Sequence, residues 1–200
     1  MAKTYLALGD SYTIGEALAM HENFPHQLVK KLADQEILFD TPLIVAQTGW
    51  TTDELMEAIN QKSIKSTFDL VTLLIGVNNQ YRGLNMNDYA NQFEELLKQA
   101  IGFADGNKDH VIVLSIPDWG VTPFAADRDR KKISEEIDAF NLINKKISLN
   151  HLVHYVDITP GSRLAETDNS LLAGDGLHPS AKEYSRWTNL LLPIATHLFK

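Results

Sequence analysis

The feature that most narrows the fold is a rhythm along the chain. Five short apolar runs, at residues 5–8, 43–46, 70–75, 111–116 and 152–156, alternate with longer segments in which apolar residues recur every three or four positions. The run at 70–75, Leu-Val-Thr-Leu-Leu-Ile, is almost continuously apolar, as a strand covered on both faces requires. The helical stripes read Phe24, Leu28, Leu32 and Ala33; then Tyr89, Phe93, Leu96 and Leu97; then Ile133, Ile137 and Phe140; and finally Tyr184, Trp187 and Leu191. Local chemistry marks where helices begin. Asn23 precedes Pro25 as an N-cap, and Thr51 with Glu54 and Ser180 with Glu183 have capping-box spacing. Strands alternating with helices predict a three-layer α/β/α domain on a five-stranded parallel sheet, spanning residues 1–200 as one unit.

Composition removes several classes of function. The formal net charge of −8 argues against nucleic acid and anionic membrane surfaces as partners, since both demand a basic face. There is no cysteine, hence no disulfide, no thiolate metal site and no thiol nucleophile. No apolar run is long enough to cross a bilayer, and the chain enters its first strand without a signal-like segment, so a cytoplasmic location without membrane insertion is expected.

In a parallel sheet ligands bind at the carboxyl ends of the strands. The polar and glycine-bearing sequences fall there: Gly9-Asp10-Ser11, Gly49-Trp50, Gly76-Val77-Asn78 and Pro117-Asp118-Trp119. The first delivers a serine at the rim, where Gly9 is expected to let the chain turn sharply and the hydroxyl to face solvent. A serine becomes a nucleophile when a base reaches it. Asp175-Gly176-Leu177-His178 near the chain's end supplies one: His178 as base, with Asp175 placed to orient the ring. The N–H groups of Ser11 and Gly49 and the side-chain amide of Asn78 are candidate donors for a developing oxyanion.

These four blocks, Gly9-Asp10-Ser11, Gly49, Gly76-Val77-Asn78 and Asp175-Gly176-Leu177-His178, occur in the order found in the SGNH hydrolases, also called GDSL esterases and lipases, and the chain resembles that family from residue 9 to residue 178. The resemblance implies a flavodoxin-like sheet and hydrolysis of a small-molecule ester or thioester, with no metal and no organic cofactor. It implies Ser11 as nucleophile, His178 and Asp175 as its partners, and an oxyanion hole of Ser11, Gly49 and Asn78. One position departs from the family: Asn79 stands where an aspartate is common, which is expected to change local hydrogen bonding more than chemistry.

Other readings compete. Gly-Asp-Ser is by itself an ordinary turn, and the same fold serves non-catalytic binding modules and inactive relatives that hold carbohydrate or lipid. A receiver-type acceptor aspartate is missing after the third strand, and neither a phosphate-binding loop nor a dinucleotide glycine pattern is present. Trp50, Tyr81 and Trp119 lie beside the proposed site and are expected to form a substrate wall, although core packing explains an aromatic residue equally well. His151 and His154 have a spacing seen in metal sites, but no acidic ligand is near them in sequence, and no metal site is expected.

Overall fold

A computed structural model describes residues 2–200. The chain runs β1 (Tyr5–Asp10), α1 (Ser11–Ile14), α2 (Phe24–Ala33), β2 (Leu43–Gln47), α3 (Thr52–Lys62), β3 (Leu70–Leu74), α4 (Val77–Tyr81), α5 (Met86–Phe103), β4 (Val111–Leu114), α6 (Arg130–Asn150), β5 (His154–Val156), α7 (Thr159–Ser162) and α8 (Ala181–Phe199). The strands form one parallel sheet in the order β2-β1-β3-β4-β5, with helices on both faces. The chain therefore steps outward from β1 to β2, then crosses back to β3. The connections that leave the carboxyl ends of the neighbours β1 and β3 run in opposite directions along the sheet, and such a switch point opens a crevice for a ligand.

Burial follows this order. Every residue of β1, β3 and β4 is buried, whereas the edge strand β2 leaves Leu43 and Gln47 exposed. On one face α2 packs against α8, with Phe24 set among Tyr184 and Trp187 at ring-centroid distances of 6.3 and 6.2 Å. On the other, α5 packs between α3 and α6.

The sequence signals locate the helix starts, with one revision. Asn23 Oδ1 accepts from His26 N–H, and Thr51 N–H donates to the Glu54 carboxylate, 2.9 Å away. The Ser180–Glu183 box is only half formed. Ser180 Oγ accepts from Glu183 N–H, but the Glu183 carboxylate turns instead to Trp187 Nε1 and Arg186, both 2.9 Å away. A buried indole N–H needs an acceptor, and that need outweighs the second arm of the cap.

Gly9 is also different from its expected role. It continues β1 and lacks a positive φ. A Cβ there would lie 2.1 Å from Thr13 Oγ1 and 2.5 Å from the Leu74 carbonyl oxygen. The position requires glycine because α1 folds back tightly over the strand that precedes it, not because the backbone turns there.

Candidate active site

Ser11 is the first residue of α1, a single turn capped by Asp10, whose carboxylate accepts from Tyr12 N–H at 3.0 Å. The first N–H groups of a helix have no partner within it, so the Ser11 N–H is available at the rim. The Asp10 carboxyl is wholly buried, and burial pushes it up to about 7, against the opposing pull of the Tyr12 and Asp10 N–H groups. Ser11 does not face open solvent as expected. It is 4 % exposed, enclosed where Tyr12 and His178 close over the rim.

His178 and Asp175 come from the loop before α8. Asp175 Oδ1 accepts from the N–H groups of Leu177 and His178, each at 3.0 Å, in a turn that Gly176 closes with φ +69°. Its other oxygen lies 2.6 Å from His178 Nδ1. Burial draws the Asp175 carboxyl upward, but His178 and the two backbone donors outweigh it and hold the group below the usual carboxylate range. With the ring proton on Nδ1 facing the carboxylate, Nε2 is left as an acceptor, 3.0 Å from Ser11 Oγ. The Tyr12 ring supports the imidazole from the side at a centroid distance of 5.0 Å. A hydroxyl, a neutral imidazole and a carboxylate in this order can generate an alkoxide-like nucleophile.

Two of the three proposed oxyanion donors reach the rim from other strand ends. Gly49, at φ +85° after β2, has an N–H with no acceptor among the described residues. Asn78, on α4 after β3, donates through Nδ2 to the Trp50 carbonyl at 3.0 Å, and its longer contact is 3.5 Å to Asp10 Oδ2. The second N–H of that amide is thus held only weakly. Asn79 is buried and pairs twice with Thr52, accepting from its N–H at 3.1 Å and donating to its Oγ1 at 2.7 Å. Thr52 Oγ1 gives its own proton to Gln92 Oε1 and so takes the Asn79 amide N–H as an acceptor; a carboxylate at this position would have to compete with Gln92 for that proton.

A cavity of about 160 Å³ opens over these groups, lined by Ser11, Gly49, Asn78, His178 and, as side walls, Tyr81 and Trp119 among others. Tyr81, Trp119 and Phe124 form a mutual cluster with ring centroids 5.3 to 6.3 Å apart. Among the described residues the walls carry no carboxylate, lysine or arginine. Trp50, grouped with the wall from its sequence position, is elsewhere. Its side chain lines a separate depression with Ile44, Ala46 and Gln47, and only its carbonyl faces the site. Trp50 lies three residues beyond β2, in a loop that turns at Gly49 with φ +85°, and there adjacency in sequence does not decide which way a side chain points.

Sequence reasoning missed several supporting residues. Gln80 Oε1 accepts from Trp119 Nε1 at 2.7 Å while its Nε2 donates to Glu136 at 2.8 Å, which fixes the indole in the wall. Arg82 and Glu54 hold the Gly49 loop from outside. Gln80 and Arg82 lie two and four residues beyond Asn78, and that proximity was the available signal. His151 Nε2 lies 2.8 Å from Glu94 Oε1, an acidic partner distant in sequence and near in space.

The sheet order and the rim-borne serine, imidazole and carboxylate place the chain in the class of parallel α/β/α proteins equipped for acyl transfer. The model described as the GDSL-like Lipase/Acylhydrolase family matches residues 7–186, and the chain belongs to that family, whose general chemistry is ester hydrolysis. Among solved structures the fold is similar to that of TesA (TM-score 0.75, 19 % identity, covering 98 % of this chain and 99 % of that one). It is likewise similar to a lipase/acylhydrolase from Enterococcus faecalis (TM-score 0.73, 19 % identity, 99 % and 97 % covered). A third similar structure is Axe2, an acetylxylan esterase from Geobacillus stearothermophilus (TM-score 0.72, 16 % identity, 98 % and 94 % covered). No curated protein matches the chain. No helix among the described residues is long and apolar enough to cross a membrane.

Proposed function

We propose that the protein is a serine esterase that works through an acyl-enzyme on Ser11. The observation that carries this reading is the continuous relay from Ser11 Oγ to His178 Nε2 at 3.0 Å and from His178 Nδ1 to Asp175 at 2.6 Å, at the mouth of a cavity. In this reading Ser11 Oγ attacks the ester carbonyl as its proton passes to His178 Nε2. Asp175 stabilises the imidazolium. The carbonyl oxygen gains charge and is held by the N–H groups of Ser11 and Gly49 and by the second amide N–H of Asn78, which its long contact to Asp10 holds only weakly. Collapse of the tetrahedral intermediate breaks the bond to the alcohol or thiol, which leaves with the proton from His178. Water then attacks the acyl carbon as His178 Nε2 takes its proton; the second tetrahedral intermediate breaks its bond to Ser11 Oγ, which recovers that proton from His178, and the acid leaves. Charge and proton are both handled by groups of this chain, so the reading requires no metal, and chelator is expected to leave the rate unchanged.

The cavity also bears on substrate. At about 160 Å³ the cavity is small beside the ~300–1,000 Å³ of a typical ligand pocket. Its aromatic and otherwise uncharged walls favour a short neutral acyl group. Acetylated sugars fit this best of the classes that the family resemblance suggests; a lysophospholipid or a long-chain thioester would have to extend beyond the cavity. A series of p-nitrophenyl esters tests both statements. Turnover is expected to peak at short acyl chains and to vanish in Ser11→Ala with the fold intact. Comparable turnover in Ser11→Ala would overturn the mechanism, and a maximum at ten or more carbons would overturn the size argument.

A further inference from the structure

The segment joining β2 to α3 carries the Gly49 donor, and its backbone is held group by group. The Gly49 carbonyl accepts from Arg82 Nη2 at 2.6 Å. The Trp50 carbonyl accepts from Asn78 at 3.0 Å, Thr51 N–H donates to Glu54, and Thr52 N–H donates to Asn79. On the other side Thr48 Oγ1 is bonded to the Glu16 carboxylate. Glu54 joins the parts, since its Oε2 takes the Thr51 N–H while its Oε1 lies 3.3 Å from Arg82 Nη1. Of the groups just named, the Gly49 N–H has no acceptor among the described residues, and Gly49 lines the cavity.

Glycine is the residue least able to hold one backbone conformation unaided, yet an oxyanion donor acts only if it is oriented before charge develops. A charge-assisted bond to the carbonyl of the same residue supplies that orientation. The Arg82–Glu54 pair itself is partly solvated, with side chains 43 % and 38 % exposed, and pairs of this kind add little to global stability. Its effect should therefore appear in catalysis rather than in melting.

We propose that Arg82, held by Glu54, is a positioning residue that fixes the Gly49 N–H toward the reacting carbonyl oxygen. The proposal rests on the serine-esterase reading. A donor that acts on the tetrahedral intermediate changes kcat more than KM.

The test is steady-state hydrolysis of p-nitrophenyl acetate by the wild type, Arg82→Ala, Arg82→Lys and Glu54→Gln, with melting temperatures measured in parallel. Arg82→Ala is expected to lower kcat roughly 10- to 100-fold, short of the about 10²–10³-fold typical of deleting a donor outright. Its KM should stay within about threefold of the wild type and its Tm within a few degrees. Arg82→Lys should recover part of the loss, Glu54→Gln should fall between, and added guanidinium ion should raise the rate of Arg82→Ala without raising that of the wild type. If the wild type turns over through Ser11 and Arg82→Ala keeps kcat within twofold, the proposal fails alone. It fails equally if the loss tracks a fall in Tm and neither lysine nor guanidinium restores it. A wild type with no Ser11-dependent turnover overturns the esterase reading and the proposal together.

Discussion

Replacing Asp175 by asparagine changes almost no volume and should nevertheless remove most of the activity. The two backbone N–H groups of Leu177 and His178 converge on one carboxylate oxygen, each at 3.0 Å. In the variant the amide oxygen must take that place. The amide NH2 then occupies the position 2.6 Å from His178 Nδ1 and points a donor at it. The ring must answer with an acceptor at Nδ1, which moves its proton to Nε2, the atom 3.0 Å from Ser11 Oγ. The base is thereby blocked on the side where it is needed. The reversed amide would set its NH2 against two N–H donors; the exposed Leu177 N–H can turn to water, but the part-buried His178 N–H would lose its acceptor, at up to about 1–3 kcal/mol. General-base catalysis is worth about 10²–10⁴ in rate, and the lost carboxylate also stabilised the imidazolium. A fall in kcat/KM of about 10³ is expected, or ~4 kcal/mol at 1.36 kcal/mol per decade. The assay is p-nitrophenyl acetate hydrolysis, with circular dichroism to establish folding. Asp175→Ala provides the sharper comparison, because it leaves the imidazole free to choose its tautomer. The asparagine variant should be at least as slow as the alanine variant although it is the better steric match. Activity above one tenth of wild type in Asp175→Asn would refute the tautomer argument.

Three further outcomes follow from packing and charge. Gly9→Ala places a methyl 2.1 Å from Thr13 Oγ1 and 2.5 Å from the Leu74 carbonyl, so overpacking of about 1–3 kcal/mol should lower Tm by roughly 3–10 °C in thermal melts; an unchanged Tm would contradict the tight return of α1. Asp10 is neutral in the folded protein up to about 7, whereas in the unfolded chain it ionises near 3.8. The folded state thus binds the extra proton between those values, and this contribution to stability is present at pH 4 and lost as pH rises toward 7, at ~1.4 kcal/mol per pH unit and on the order of 4 kcal/mol in all. Denaturant titrations across that range should show the decline in the wild type and its absence in Asp10→Asn; parallel curves would refute it. Gln80→Leu deprives the buried Trp119 N–H of its acceptor, and KM for short esters should rise severalfold with kcat little changed; an unaltered KM would detach Trp119 from substrate binding.

The strands, their parallel arrangement and the four blocks of the candidate site were legible because each depends on short-range pattern: apolar runs, helical periodicity, and polar residues at strand ends. What was not legible depends on partners that meet only after folding. Gly9 suggested a turn, but its constraint comes from Thr13 and from Leu74 on the adjacent strand β3. Trp50 suggested a wall, but its side chain points away from the cavity and only its carbonyl serves the site. Glu183 has the spacing of a capping box, yet Trp187 and Arg186 claim its carboxylate. Gln80 and Arg82 carry no motif, and the capping-box spacing of Glu54 gives no sign of its second oxygen's reach to Arg82, because the value of this shell lies in reaching Trp119 and Gly49 across elements.

The central claim is that one serine near the start of the chain carries the acyl group. Incubation with a serine-directed phosphonate, followed by proteolysis and mass spectrometry, tests it directly. A single adduct is expected on Ser11, formed together with loss of esterase activity and absent in Ser11→Ala. An adduct on another residue, or full inhibition with Ser11 unmodified, would contradict it.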